Sequence, residues 1–286
     1  MLGRALKMAF WATYDHVGKL MVANLIASLA VFALLGAAWA LTLAGHPVAI
    51  AAGVALAVLV LGVIAPAFAA GLAHMAKVIV DTREGAIADF FAGVRFYGRR
   101  AAYLGMAFLV AAICLVTSGW FYMNALRDKA PWLGFGLSAL ALWCLCFLSL
   151  TYVMAIPALV QKKATARETT KLAAVLVLDN PLFILGLALQ LMAWAALSVV
   201  LMPLVLFLSW AVATMLLVTA YEQLARKYTL IEVERGGVPA SREGQLFEGA
   251  TPGIRVISRD GSWVIDEEND DYLNRGFRDF LFPWKG

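Results

Sequence analysis

Four stretches of this chain contain no aspartate, glutamate, lysine or arginine: residues 20–76, 101–126, 130–160 and 180–221. The hydrocarbon core of a bilayer is about 30 Å thick and takes roughly 20 apolar residues per helix. Lipid offers no partner to open backbone groups, so each crossing must satisfy its own hydrogen bonds. Runs of this length and blandness predict an all-α, multi-pass membrane protein. Composition agrees, with 63% hydrophobic residues and only 15% charged, against about 25% charged in soluble domains.

The first three runs divide readily. Spans are expected at about 20–44, 48–73 (kinked by Pro66), 101–123 and 132–156, the last closed by Pro157. Residues 181–221 exceed one span, and Pro203 lies near the middle. Splitting there gives 182–201 and 204–221, six transmembrane helices in all; one strongly tilted fifth helix is the alternative. A secretory signal is the competing reading of the start, because Arg4, Lys7 and Lys19 precede the apolar run and "AWA" at 38–40 imitates a cleavage site. The apolar run is longer than the 7–15 residues of a signal's core, so a retained span is expected.

Lys and Arg in short loops set orientation. Three basic residues precede the first span (Arg4, Lys7, Lys19), and five lie between the second and third (Lys77, Arg83, Arg95, Arg99, Arg100). Four more lie between the fourth and fifth: Lys162, Lys163, Arg167 and Lys171. The other side has Arg127 and Lys129. Both termini are therefore expected in the cytoplasm. The net charge of +4 is then mostly topology, and no nucleic-acid partner is inferred.

Between spans lie amphipathic elbows, at about 1–19, 82–99 and 164–179. "DFFAGVRFYGRR" (89–100) mixes aromatic and basic residues. On a helix Ile87, Phe90, Phe91 and Val94 share a face, while Arg95 and Arg99 lie elsewhere. Aromatics at headgroup level with Arg reaching to water describe a helix lying in the interface. Phe10, Trp11, Phe90, Phe91, Arg95 and Arg99 are thus expected as interfacial anchors. At an offset of 80, "FWATYDHVGK" from Phe10 matches "FFAGVRFYGR" from Phe90 at Phe, Ala, Gly and Lys/Arg. Ala173 and Val175 extend the pattern at an offset of 81. Three repeats of elbow, span out and span back follow, related by an axis along the membrane normal.

Chemistry is sparse. Charged groups inside spans mark ion paths or relays, and these spans carry none. Asn24, His74 and Gln190 are the candidates for a polar cavity, with Ser118 beside them. Ala49, Gly53 and Ala57 form a small-residue stripe that lets helices approach closely. His16, His46 and His74 are far apart, and Cys114, Cys144 and Cys146 fall inside spans, where they are expected to be buried small hydrophobes. Glu222 and Asp179 sit at span ends and are expected to be solvated. No catalytic, cofactor or metal site is expected, and no enzyme activity.

From Arg226 the composition shifts, with nine basic and eleven acidic residues in 226–286. This reads as a small cytoplasmic tail. "IRVISRDGSWVID" reads as strand, Asp-Gly turn, strand, a β-hairpin over about 254–265. "DEENDD" reads as solvated. The end, 272–285, is aromatic and amphipathic; Phe280 and Trp284 are expected to re-anchor it on the membrane or the bundle.

Three segments carry a family likeness: the N-terminal interfacial helix, "VIAPAFAAGLAHMAKVI…DFFAGVRFYGRRAAYLG" and "IPALVQKKATARETTKLAAVLVLDNPLFILG". With the pairs Pro66-Ala67 and Pro157-Ala158, and Asn180-Pro181 opening the fifth span, residues 1–225 resemble the YesL-like bacterial integral membrane proteins, a family of unknown function. The resemblance implies a location in the bacterial inner membrane and, through relatives beside carbohydrate-uptake genes, a role near sugar transporters. It transfers no site residues. The function expected from all this is a non-catalytic accessory or scaffold subunit that binds lipid and other membrane subunits. A facilitator for a neutral small solute is the alternative.

Overall fold

Long apolar segments with few breakers become long helices. The computed structural model describes residues 1–128, 130–162, 165–234, 254–255, 264–265 and 271–275. α1 (Leu2–Asp15) is followed, after His16 alone, by α2 (Val17–Leu43). Gly45, at φ 71°, turns the chain, and only glycine takes that conformation at no steric cost. α3 (Pro47–Leu59) starts with Pro at a position that needs no N–H donor.

A π-helical segment, Val60–Ile64, joins α3 to α4 (Ala65–Thr82). It sits directly before Pro66, where a missing N–H and a bulky ring disturb the regular ladder. α5 (Ile87–Ala125) and α6 (Pro131–Lys162) form a long hairpin. α7 (Ala166–Asp179) leads into α8 (Pro181–Val200), α9 (Pro203–Phe207) and α10 (Ser209–Glu234). Beyond these lie two paired two-residue strands, β1 (Ile254–Arg255) and β2 (Val264–Ile265), antiparallel with Ile254 opposite Ile265. The short helix α11 (Asp271–Asn274) follows.

Five helical stretches are long and apolar enough to cross a membrane: Val17–Leu43, Pro47–Thr82, Ile87–Ala125, Pro131–Lys162 and Pro181–Val200. The chain is an all-α protein of multi-pass membrane type. The stretch expected as a sixth span falls in α9 and α10. Residues 181–221 are not one tilted helix: α8 ends at Val200, and α10 returns beside it, with Trp194 Nε1 donating to the Ser209 carbonyl at 3.2 Å. The expected elbow at 82–99 is not a separate helix. It runs unbroken into the span as α5, 39 residues long or roughly 58 Å, because nothing between Phe96 and Ala101 breaks a helix.

The packed core lies at one end of the bundle. It gathers α1, the start of α2, α4, the first half of α5, the end of α6, α7, the start of α8, and α10. This end carries the basic loops and is called the basic end below. α4 and α5 meet along a glycine seam. A methyl group on Gly105 would stand 2.2 Å from Pro66 Cγ and 2.6 Å from the Gly62 carbonyl oxygen, and one on Gly93 would stand 3.0 Å from Gly71 Cα. The expected stripe Ala49–Gly53–Ala57 lies on α3. Its Gly53 meets α2, where an added Cβ would come within 2.6 Å of the Ala38 oxygen.

The opposite end opens out. Between Leu109 and Leu150 only Gly134 is buried among the described residues. Here α5 and α6 touch chiefly each other, with Ser138 Oγ donating to the Gly119 carbonyl at 2.8 Å. Trp120, Trp132 and Trp143 are all exposed. So are Cys114, Cys144 and Cys146, contrary to the expectation of burial. An apolar helix in lipid has no reason to hide its sulfur atoms, so apolarity alone does not place a residue inside.

Candidate functional site

The richest polar chemistry lies at the basic end, where α10 carries its polar half into the bundle. Glu222, Gln223 and Arg226 are all buried. Glu222 was expected in solvent, and the reverse holds because α10 runs on past Tyr221 and carries Glu222 to Arg226 into the bundle. Isolated buried charges are too costly to persist, so they occur paired. Arg226 Nε accordingly donates to Glu222 Oε1 at 3.2 Å, one helical turn away.

α4 brings a second pair to the same place. Lys77 Nζ lies 3.8 Å from Asp81 Oδ2, and Asp81 feels the charges of Glu222, Arg226 and Arg83 as well. Arg83, just past the end of α4, has φ 59° and donates its N–H to the Ile79 carbonyl at 3.0 Å. A left-handed non-glycine residue costs roughly 1–2 kcal/mol, so its surroundings hold it there. His16 lies within hydrogen-bond reach of the Arg83 backbone; burial first, then Lys19, pushes its imidazole below the ordinary value.

α11 closes this face. Tyr272 is 2% exposed, with the Arg83 guanidinium 3.5 Å above its ring. Arg275 stands over both Tyr272 and Trp11, at 5.6 and 5.4 Å, and pairs with Asp15 at 2.5 Å. Lys7 Nζ donates to the Leu273 carbonyl at 2.5 Å. Tyr272–Arg275 thus lie against the bundle; Phe280 and Trp284, the expected anchors of the tail, lie outside the described residues.

A third polar group ties the α7–α8 junction to α10. Asn180 Nδ2 donates to Tyr228 Oη at 2.7 Å, Lys227 Nζ donates to Asn180 Oδ1 at 2.6 Å, and Tyr228 Oη donates to Asp179. Burial, then the bond to Asp179, raises the Tyr228 phenol above its ordinary value. α7 itself starts with a capping box, Thr165 and Glu168 exchanging bonds. The Thr165 backbone N–H, then its hydroxyl, holds the Glu168 carboxyl below its ordinary value.

The three candidates for a polar cavity do not meet. Asn24 is fully buried and spent on backbone: its Nδ2 donates to the Leu206 carbonyl at 2.7 Å, and its Oδ1 accepts from the Ala211 N–H at 2.8 Å. It mends the break between α9 and α10, where helical bonds are lost. Sequence reading missed this role, although the signal existed in Pro203, which opens a backbone gap that some polar neighbour must fill. His74 packs its ring 5.6 Å from Tyr97 on α5. Gln190 is exposed on α8.

The expected anchors divide. Phe10, Phe91, Arg95 and Arg99 are exposed. Trp11 and Phe90 are buried instead, at 4% and 0%. Trp11 faces Arg275, and Phe90 lies against Phe68 and over Gly71, which leaves room for it. Phe10 and Phe90, matched in the repeat alignment, thus occupy opposite environments.

Two cavities are apolar and open sideways between α5 and α6. One, about 530 Å³, is lined by residues including Trp120, Met123, Phe135 and Leu142. The other, about 300 Å³, lies around Phe108 and Tyr152. No group of three or more His, Cys, Asp or Glu side chains is placed to hold a metal among the described residues. Comparison with protein-family models, with curated proteins and with solved structures finds no match.

Proposed function

We propose that this chain is a non-catalytic, multi-pass accessory subunit of the bacterial inner membrane that holds another membrane protein against its open end. The observation that carries the reading is the α5–α6 hairpin. Over 42 residues it buries almost nothing of itself, and it presents Trp120, Trp132, Trp143 and Phe135 at exposures of 61–75%. Membrane helices associate by close packing rather than by a hydrophobic drive, and a grooved, aromatic two-helix surface offers a partner helix more contact than a smooth rod does. The polar groups at the other end support a structural role: Asp81 of α4 feels the charges of Glu222 and Arg226 of α10, and Lys7 and Asp15 of α1 hold α11.

The finer architecture belongs to the same reading. α9–α10 makes the sixth crossing, so that α2–α3/α4, α5–α6 and α8–α10 form three hairpins. The three units are copies of one repeat, both termini are cytoplasmic, and β1 and β2 belong to a hairpin over 254–265. The likeness of 1–225 to YesL-like proteins points the partner towards carbohydrate-uptake machinery. The test is affinity purification of the full chain in mild detergent from native membranes. Co-recovery of one membrane protein in stoichiometric amount is expected; recovery of the chain alone contradicts the proposal.

A further inference from the structure

We infer that the face formed by Lys7, Trp11, Asp15 and Arg83 is an exchangeable peptide-binding slot, occupied here in cis by the chain's own Asp271–Arg275. The slot reads a tyrosine followed three residues later by an arginine. The inference rests on how the slot is built and stands apart from the accessory-subunit reading.

Each wall is held by contacts other than those to α11. α1 is seated on α10 through Thr219 Oγ1, which donates to the Ala5 carbonyl at 3.1 Å, and Trp11 also packs edge-on against Phe10 and Tyr14. Arg83 is positioned by its left-handed backbone at the end of α4 and its bond to Ile79. A pocket fixed in this way is preorganised, so an occupant loses little binding energy to ordering it.

The occupant, by contrast, is slight. α11 is four residues long, and an isolated helix of that length does not hold its shape alone. One deeply buried ring supplies the apolar contact. The rest are cation–ring stacking, one backbone carbonyl taken by Lys7, and an ion pair at the rim whose side chains are 36% and 27% exposed. Rim charge pairs govern encounter and are weakened by salt. Being on the same chain raises the segment's effective concentration, so the slot needs only weak intrinsic affinity to be filled in cis. A partner segment offering the same tyrosine and arginine can then replace it.

The test uses the full chain with Cys114, Cys144 and Cys146 replaced by Ala, carrying Leu273→Cys as a reporter, in nanodiscs. Maleimide labelling of Cys at 273 is expected to be at least tenfold slower than in the same protein carrying Asp15→Arg. The charge-swapped pair Asp15→Arg/Arg275→Asp should restore slow labelling, which separates lost docking from lost folding. A synthetic peptide of residues 269–276 should accelerate labelling in the parent, and the same peptide with Tyr272→Ala should not. Fast labelling in the parent overturns the docking. Acceleration by neither peptide, or by both equally, overturns the exchangeable slot.

Discussion

The two ends of this bundle are built from similarly apolar helices, yet one converges and the other splays. At the basic end the facing residues are small: Ala70, Ala73, Ala101, Ala155 and Ala158 are buried, and glycines 62, 71, 93 and 105 bring α4 and α5 into backbone contact. Polar groups there find partners across helices. At the opposite end the same helices carry Trp39, Trp120, Trp132 and Trp143, all turned outwards. In lipid, apolarity does not decide what is inside, because the solvent is as apolar as the core. Size and hydrogen bonding decide it.

The contrast breaks most severely at the buried ion pair. Arg226→Leu removes the guanidinium that meets the Glu222 carboxylate at 3.2 Å inside the bundle, and a loss of about 3–5 kcal/mol is expected. The double variant Glu222→Leu/Arg226→Leu should recover most of it, because two apolar side chains replace a pair whose desolvation was costly. Thermal unfolding in detergent measures both; a double variant no better than the single one would show that the pair does more than balance itself.

A direct comparison of the two ends comes next. Met154, fully buried on α6, is expected to cost about 2–5 kcal/mol on truncation to Ala. Leu142, twelve residues earlier on the same helix and 60% exposed, should cost under about 0.5 kcal/mol. Equal effects would mean that the open end is packed after all.

The seam follows. Gly105→Ala forces a methyl group onto Pro66 and the Gly62 carbonyl oxygen, and about 1–3 kcal/mol of overpacking strain is expected. Gly136, whose added Cβ meets nothing within 4 Å, is the matched control and should gain slightly in helix propensity.

The smallest effect is a titration. The folded carboxyl of Glu168 titrates below its ordinary value of 4.5 because Thr165 donates to it. Its contribution is therefore present above pH 4.5 and lost as pH falls through the lowered folded value. Amide exchange in the first turn of α7 should accelerate over that acidic window, and Glu168→Gln should flatten the response.

The sequence spells out its helices far better than their neighbours. Charge-free runs announce crossings, Pro203 announces the break after α8, and Pro66 marks where the helix loosens, two residues past the π segment. These are local signals. The burial of Glu222 and Arg226 is not local, because a charge at the end of an apolar run looks the same whether water or another helix waits beside it. An amphipathic wheel likewise names a face of α1 or α5 without saying whether lipid or protein will cover it, which is why Trp11 and Phe90 went inside. The docking of Tyr272 depends on Arg83 and Trp11, some 190 and 260 residues away, and no spacing rule reaches that far.

A photocrosslinking amino acid placed at Trp120, Leu142 or Trp143 in turn, and at Phe96 on the exposed face of the basic end as a control, distinguishes a docking surface from a lipid-facing one in native membranes. One discrete protein adduct from all three positions of the α5–α6 hairpin, absent from position 96, is the expected result. Lipid adducts alone at all four positions would contradict it.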